Sequence, residues 1–292
     1  MPLDQQRIHK SIKKIRKILK RSSRPLTPGD VHDLHTCSRR IEVAIDAAGL
    51  PAKSNERRVR RNLERLRKKA GKVRDMDVLT SDLARVEATG DEDCRTRLLE
   101  HLRSIRHKQA KKLSRSIRKY GKSTRRRLNR TEDRFDRALA KDASGEQETL
   151  RSHAASAALL QSAELKTPQH LDRANLHPYR IKVKQFRYLL QAVEDGGSRK
   201  LIDSLGATKD AIGDWHDWEE LVRIGEKILD HHPCALIEEL KRINASKYQA
   251  ALAATERLRR EFIDKPGAGD RKSSSRLSVS EPTLKAVSAI AS

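Results

Sequence analysis

Apolar residues recur along most of this chain at the alternating three- and four-residue spacing of an α-helix. The first set is Ile8, Ile12, Ile15 and Leu19, with His9, Lys10, Lys13, Lys14 and Lys17 between them. One face of this segment is apolar and the other cationic. Ser22-Ser23-Arg24-Pro25 ends it. Thr27-Pro28-Gly29-Asp30 opens the next helix, with Thr27 a candidate N-cap and Pro28 suited to the first turn. Val31, Leu34, Ile41, Ile45 and Ala48 form the second stripe, and Gly49-Leu50-Pro51 stops it. A third helix starts near Ser54, turns Val59, Leu63, Leu66 and Ala70 inward, and is expected to end at Gly71. A fourth is expected over about 75–88. From Asp91 the positions Leu98, Leu102, Ile105, Leu113, Ile117 and Tyr120 describe a long helix, with Gly121 a point of interruption before Leu128, Phe135 and Leu139.

Residues 142–148 (DASGEQE) are a polar break and the expected boundary between two halves, 1–145 and 146–263. In the second half, helices are expected over about 147–166, 178–195, 198–212, 215–231 and 234–263, separated by Gly196-Gly197, Gly213 and Pro233. The Ser-rich stretch 264–292 reads as a flexible tail. No segment alternates as a strand does, so the fold class is all-α.

Composition narrows the partners. Lysine and arginine total 64 against 40 acidic residues, a net charge of +24. The excess is lopsided: residues 1–140 hold 40 basic and 18 acidic residues, the remainder 24 and 22. Charge kept only for solubility has no reason to gather in one half; an anionic partner gives one. Three scattered cysteines, Cys37, Cys94 and Cys234, form no CxxC pair, which argues against a disulfide framework or a zinc finger and for a reducing cytoplasm. No run of 18 apolar residues exists, so no membrane span is expected. The basic N-terminus lacks the apolar stretch of a secretory signal.

The charge is also patterned. Residues 31–40 (VHDLHTCSRR) and 176–188 (LHPYRIKVKQFRY) align on His32 and His177. Basic residues then recur three positions on (His35, Arg180) and seven positions on (Arg39, Lys184), and Arg40, Arg187 and Tyr188 follow. On a helix His177, Arg180, Lys184, Arg187 and Tyr188 share an arc of roughly 100°, and His32, His35 and Arg39 occupy the same arc in the first copy. A second matched element follows each. Gly71, Arg74, Asp75, Asp77 and Leu79 parallel Gly213, His216, Asp217, Glu219 and Leu221. Two matched elements in one order at similar spacing indicate a duplicated helical unit.

These segments, VHDLHTCSRR, RKKAGKVRDMDVL and LHPYRIKVKQFRYLLQ, resemble the CHAD domain, the conserved histidine α-helical domain, over roughly residues 5–260. The resemblance implies two pseudo-symmetric antiparallel four-helix bundles with a basic channel or surface between them. It also implies binding of inorganic polyphosphate and association with polyphosphate granules. Carried onto this sequence, it points to His32, Arg39 and Arg40, and to His177, Arg180, Lys184, Arg187 and Tyr188. The chain departs from the family where His35 stands in place of the usual arginine, and a neutral imidazole there weakens an anion site near neutral pH. No strand-built triphosphate-hydrolase domain is recognisable, so no catalysis is carried over.

The remaining basic residues have two readings. Arg58, Arg61, Arg65 and Lys68 follow helical spacing and form either a phosphate-facing row or a solvated face. Lys10, Lys13, Lys14, Arg74, Arg103 and Lys108 complete the candidate set. Asp75, Asp77, Asp217 and Glu219 look like paired catalytic acids, but after a glycine they suit the start of a helix and its positive dipole end. Trp215 and Trp218 read as packing anchors. The expected function is a non-catalytic polyphosphate-binding module, without cofactor or metal. A nucleic-acid-binding protein and an enzyme of phosphate metabolism are the rivals. Neither a helix-turn-helix nor a Gly-rich phosphate loop supports them.

Overall fold

The computed structural model describes residues 5–21, 25–47, 54–86, 92–141, 162–193, 199–229 and 234–264. Seven α-helices carry them: α1 (Gln5–Lys20), α2 (Pro28–Ala47), α3 (Ser54–Ala84), α4 (Glu92–Lys141), α5 (Leu176–Val193), α6 (Arg199–Leu229) and α7 (Ala235–Leu258). A π-helical turn, Arg259–Ile263, follows α7. Among the described residues there is no strand, and no helix is long and apolar enough to cross a membrane.

The apolar stripes do as their spacing predicts. Ile8, Ile12, Ile15 and Leu19 of α1 are buried with Val31, Leu34, Ile41 and Ile45 of α2 and Val59, Leu63, Leu66 and Ala70 of α3. Leu113, Ile117, Leu128 and Phe135 of α4 complete this core. Thr27 caps α2: the amide of Asp30 donates to Thr27 Oγ1 at 3.1 Å, and Asp30 Oδ2 accepts from the Thr27 amide at 3.3 Å.

Three expected helix ends are absent. α3 runs unbroken through Gly71, α6 through Gly213, and α4 through Gly121. An interior glycine costs about 1 kcal/mol relative to alanine, and burial of the flanking side chains offsets it. Ala70 and Val73 beside Gly71, and Ile212 and Trp215 beside Gly213, are all buried. Asp75, Asp77, Asp217 and Glu219 therefore stand mid-helix and cannot cap a helix start. Two hold arginines instead. Asp77 is ion-paired with Arg106, and Glu219 accepts from Arg173 Nη1 at 2.8 Å and from Asn244 Nδ2 at 2.6 Å.

The first four helices pack as a ring in which α1 touches α2, α2 touches α3, α3 touches α4, and α4 closes on α1. Buried polar pairs pin the register of α3 on α4: Asn62 Nδ2 donates to Thr124 Oγ1 at 3.1 Å, and Asn55 Nδ2 to Thr131 Oγ1 at 3.1 Å. In the second half α5 packs on α6 and α6 on α7 around Tyr179, Val183, Phe186, Leu205, Ile212, Trp215 and Leu258. A third cluster joins the halves. Met76, Leu79 and Leu83 of α3 and Leu98 and Leu102 of α4 meet Trp218 and Leu221 of α6 and Leu236 and Leu240 of α7. Both tryptophans are buried anchors, as expected.

The stops at Gly49-Leu50-Pro51, Gly196-Gly197 and Pro233, the break at 142–148, most of the helix expected over 147–166 and the tail beyond Asp264 lie outside the described residues.

Candidate functional site

Where α2 and α3 face α5 and α6, basic side chains from all four helices converge. Lys184 of α5 records the crowding. Burial, then the charges of Arg39, Arg180, Arg67 and Lys209, push its amine from 10.5 down to about 8. His35 of α2 records the same field from the other side. Burial, then Arg74, Arg67, Lys184 and His32, push its imidazole down to about 4. The position where the resemblance implies an arginine is thus held by a neutral ring at neutral pH in the free protein.

Backbone carbonyls and glycines aim these cations. Arg180 Nε donates to the carbonyl of Lys209 at 3.2 Å, and Arg187 Nε to that of Ile202 at 3.3 Å. Each guanidinium lies on the glycine four residues after its acceptor. A Cβ on Gly213 would stand 2.7 Å from Arg180 Nη2, and one on Gly206 would stand 3.3 Å from Arg187 Nε. On the other half, the His35 ring lies 3.6 Å from where a Cβ on Gly71 would be. The glycines read as helix ends are slots that let a neighbouring side chain, the Arg180 guanidinium at Gly213 and the His35 ring at Gly71, approach the helix backbone.

Neutralisation inside the cluster is partial. Arg67 Nε donates to both oxygens of Glu42, at 3.1 and 3.0 Å, and Lys209 is paired with Asp210. Arg74, Arg180 and Lys184 have no ion-pair partner among the described residues. Carboxylates gather at one end of the seam. Burial raises Asp217 to about 6, Arg180 opposes the rise, and Asp75 and Asp82 add to it. There the rings of His177 and His216 meet at a tilt of 40°, with centroids 4.3 Å apart. Both sit below the usual histidine range, through burial first and then neighbouring charge.

The sequence-predicted residues thus divide. His35, Arg39, Arg74, Arg180 and Lys184 come together; His32 reaches the cluster through His35, and His177 through Arg180. Arg187 sits two turns along α5 on its own carbonyl. The side chain of Tyr188 is outside the described residues. The others stand elsewhere. Arg40, Arg58, Arg61, Arg65, Lys68, Arg103 and Lys108 are exposed, with Arg65 over the Tyr120 ring and Lys68 paired with Glu64 at 2.8 Å. Lys10, Lys13 and Lys14 lie on α1, and Lys14 pairs with Asp33 of α2 at 3.0 Å. None of these is among the leading charges acting on His35 or Lys184. Sequence reasoning missed three members: Arg67, Lys209 and His216. Arg67 precedes Arg74 by two helical turns, the spacing of Arg180 and Arg187, and that recurrence was the available signal.

Among the described residues no group of three or more histidines, cysteines or acids is placed to hold a metal ion, and all three cysteines are free. What the seam can do chemically is receive anionic oxygen. Arginine offers a planar fork and lysine a compact charge.

A comparison with curated proteins found no match. The crystal structure of the CHAD domain from the plant Ricinus communis superposes with a TM-score of 0.59 over 88% of this chain and 89% of that one, at 16% sequence identity. This is a likeness of fold. A scan against protein-family models matches the CHAD domain over residues 6–223. With that match running over most of its length, the protein belongs to the CHAD domain family.

Proposed function

We propose that the protein binds inorganic polyphosphate without catalysis, along the seam where α2 and α3 face α5 and α6. The observation that carries the reading is the like-charge convergence at Lys184, whose amine is pushed down to about 8 by burial and by Arg39, Arg180, Arg67 and Lys209. Such a cluster costs stability in the free protein and is relieved by a dense polyanion. Polyphosphate carries charge on every unit and has no bases to stack. Both tryptophans are buried, so neither offers a platform for a nucleobase. Family membership supports the same reading, and association with polyphosphate granules in the cytoplasm follows from it.

The test is a titration of long-chain polyphosphate against duplex DNA at equal phosphate concentration. Polyphosphate is expected to bind more tightly, with a loss of roughly a hundredfold between about 50 and 200 mM salt if some four phosphates are neutralised. Equal or tighter binding of DNA overturns the proposal in favour of a nucleic-acid partner. Steady release of phosphate from the polymer overturns its non-catalytic part.

A further inference from the structure

The first bundle has a second cationic surface, and it is not the seam. Lys10, Lys13, Lys17 and Lys20 follow one another at three-, four- and three-residue steps along α1, and all four are exposed. They line a groove of about 760 Å³ closed on its far side by Arg125 of α4. A smaller hollow of about 260 Å³ continues it past Lys122 and Arg126. The two helices run antiparallel here. His9 meets Glu132 and Asp136, while the Leu19 backbone lies near Gly121. The lysine row is about 15 Å long at 1.5 Å rise per residue.

Acidic residues stand at one end of this groove and are already engaged. The two ring nitrogens of His9 lie 2.9 Å from Glu132 Oε1 and 2.9 Å from Asp136 Oδ1. The other oxygen of Glu132 accepts from Arg16 Nη1 at 3.4 Å. Lys10, Lys13, Lys17, Lys20 and Arg125 have no ion-pair partner among the described residues. A solvated surface stripe in a helical bundle ordinarily interleaves both signs; this one sorts them, with acid at one end and one sign along the rest.

Its position follows from the ring of helices. In the order α1, α2, α3, α4, the edge between α4 and α1 is opposite the edge between α2 and α3. The seam lies on the α2–α3 side and the lysine groove on the α4–α1 side. We propose that the α1–α4 groove is a second, independent site for a phosphate polyanion, so that one molecule holds two segments of polyphosphate on opposite faces and cross-links the polymer. This rests on the function proposed above and adds bridging to binding.

The test uses the full chain and counts sites with an oligophosphate too short to reach around the bundle, then follows light scattering with long-chain polyphosphate. The wild type is expected to take two oligophosphates and to condense the long polymer. K17E/K20E/R125E is expected to keep the seam site at unchanged affinity, to lose the other, and to lower scattering at least tenfold. Circular dichroism checks its helicity, and K17Q/K20Q/R125Q, which adds no negative charge, must move in the same direction. An unchanged site count and unchanged scattering in both variants overturns the second site. A single wild-type site abolished by R180Q/K184Q overturns this inference and leaves the seam reading intact. Binding that survives R180Q/K184Q but not the groove substitutions overturns the seam reading and the bridging with it, and leaves the groove as a single site. A wild type that binds no oligophosphate overturns both, and a groove that takes duplex DNA in preference to polyphosphate overturns this one.

Discussion

Arg180 owes its position to an absent methyl group. Its guanidinium occupies the space that a Cβ on Gly213 would need, 2.7 Å from Nη2. G213A is therefore expected to leave the helix intact or strengthen it by up to about 1 kcal/mol, because the atoms displaced are the end of a flexible side chain. The same change pushes Arg180 off the Lys209 carbonyl, and polyphosphate affinity should drop about tenfold, or 1.4 kcal/mol. Thermal melts and a binding isotherm on one sample separate the two effects, and unchanged affinity shows that the anchored arginine is not used. Two neighbours should report binding as proton uptake. An arriving polyanion favours the charged forms of Lys184 and His35, so it raises both pKa values. Uptake by Lys184 belongs between about 8 and 10.5, and uptake by His35 between about 4 and 6.5. Calorimetry in buffers of differing ionisation heat measures it, and a null result in both windows removes these residues from the site. Without ligand, the depressed His35 value means stability is lost as pH falls from 6.5 towards about 4, because the unfolded chain takes the proton first.

Among the elements, α1 is held to α4 by a contact of opposite pH sense. Burial opposes charge on His9, but Asp136 and Glu132 outweigh it and raise its pKa above 6.5. A raised folded value gives stability that is present below 6.5 and lost as pH rises through it. H9Q should flatten the fall in denaturant midpoint between about pH 6 and pH 8 that the wild type shows from this contact. An identical pH profile in the two proteins would place the clasp in solvent. This helix was fully legible in sequence: its four apolar residues are all buried, and the capping of α2 by Thr27 could be read from Thr27-Pro28-Gly29-Asp30. The lengths of α3 and α6 were not legible. Gly71 and Gly213 carry the same local signal whether they end a helix or admit a neighbour's side chain, and only the neighbour decides. The cation stripes of α2 and α5 were readable because each rides on one helix. Arg67 and Lys209 were not, because they join the cluster only when four helices are brought together, and Arg67 hides in a crowd of eight basic residues over 57–69.

For the molecule as a whole, the cluster between the halves matters most to stability. Met76, Leu79, Leu83, Leu98 and Leu102 are covered by Trp218, Leu221, Leu236 and Leu240 from the second half. The full chain should therefore melt in one transition. A fragment ending at residue 145 should bind a hydrophobic dye and lose stability, because these five residues lose their cover; a fragment as stable as the whole chain would show the halves to be autonomous. The ring of helices that sets the seam and the groove on opposite edges has a further consequence for anything gathered around it. A four-helix ring is about 20 Å across, from interaxial distances of 8–10 Å and side chains on either side. Polymer strands held on both edges cannot approach closer than that width. The protein then acts as a spacer of fixed gauge, and a dense mixture of the two would carry a repeat distance set by the bundle, largely insensitive to how much salt surrounds it.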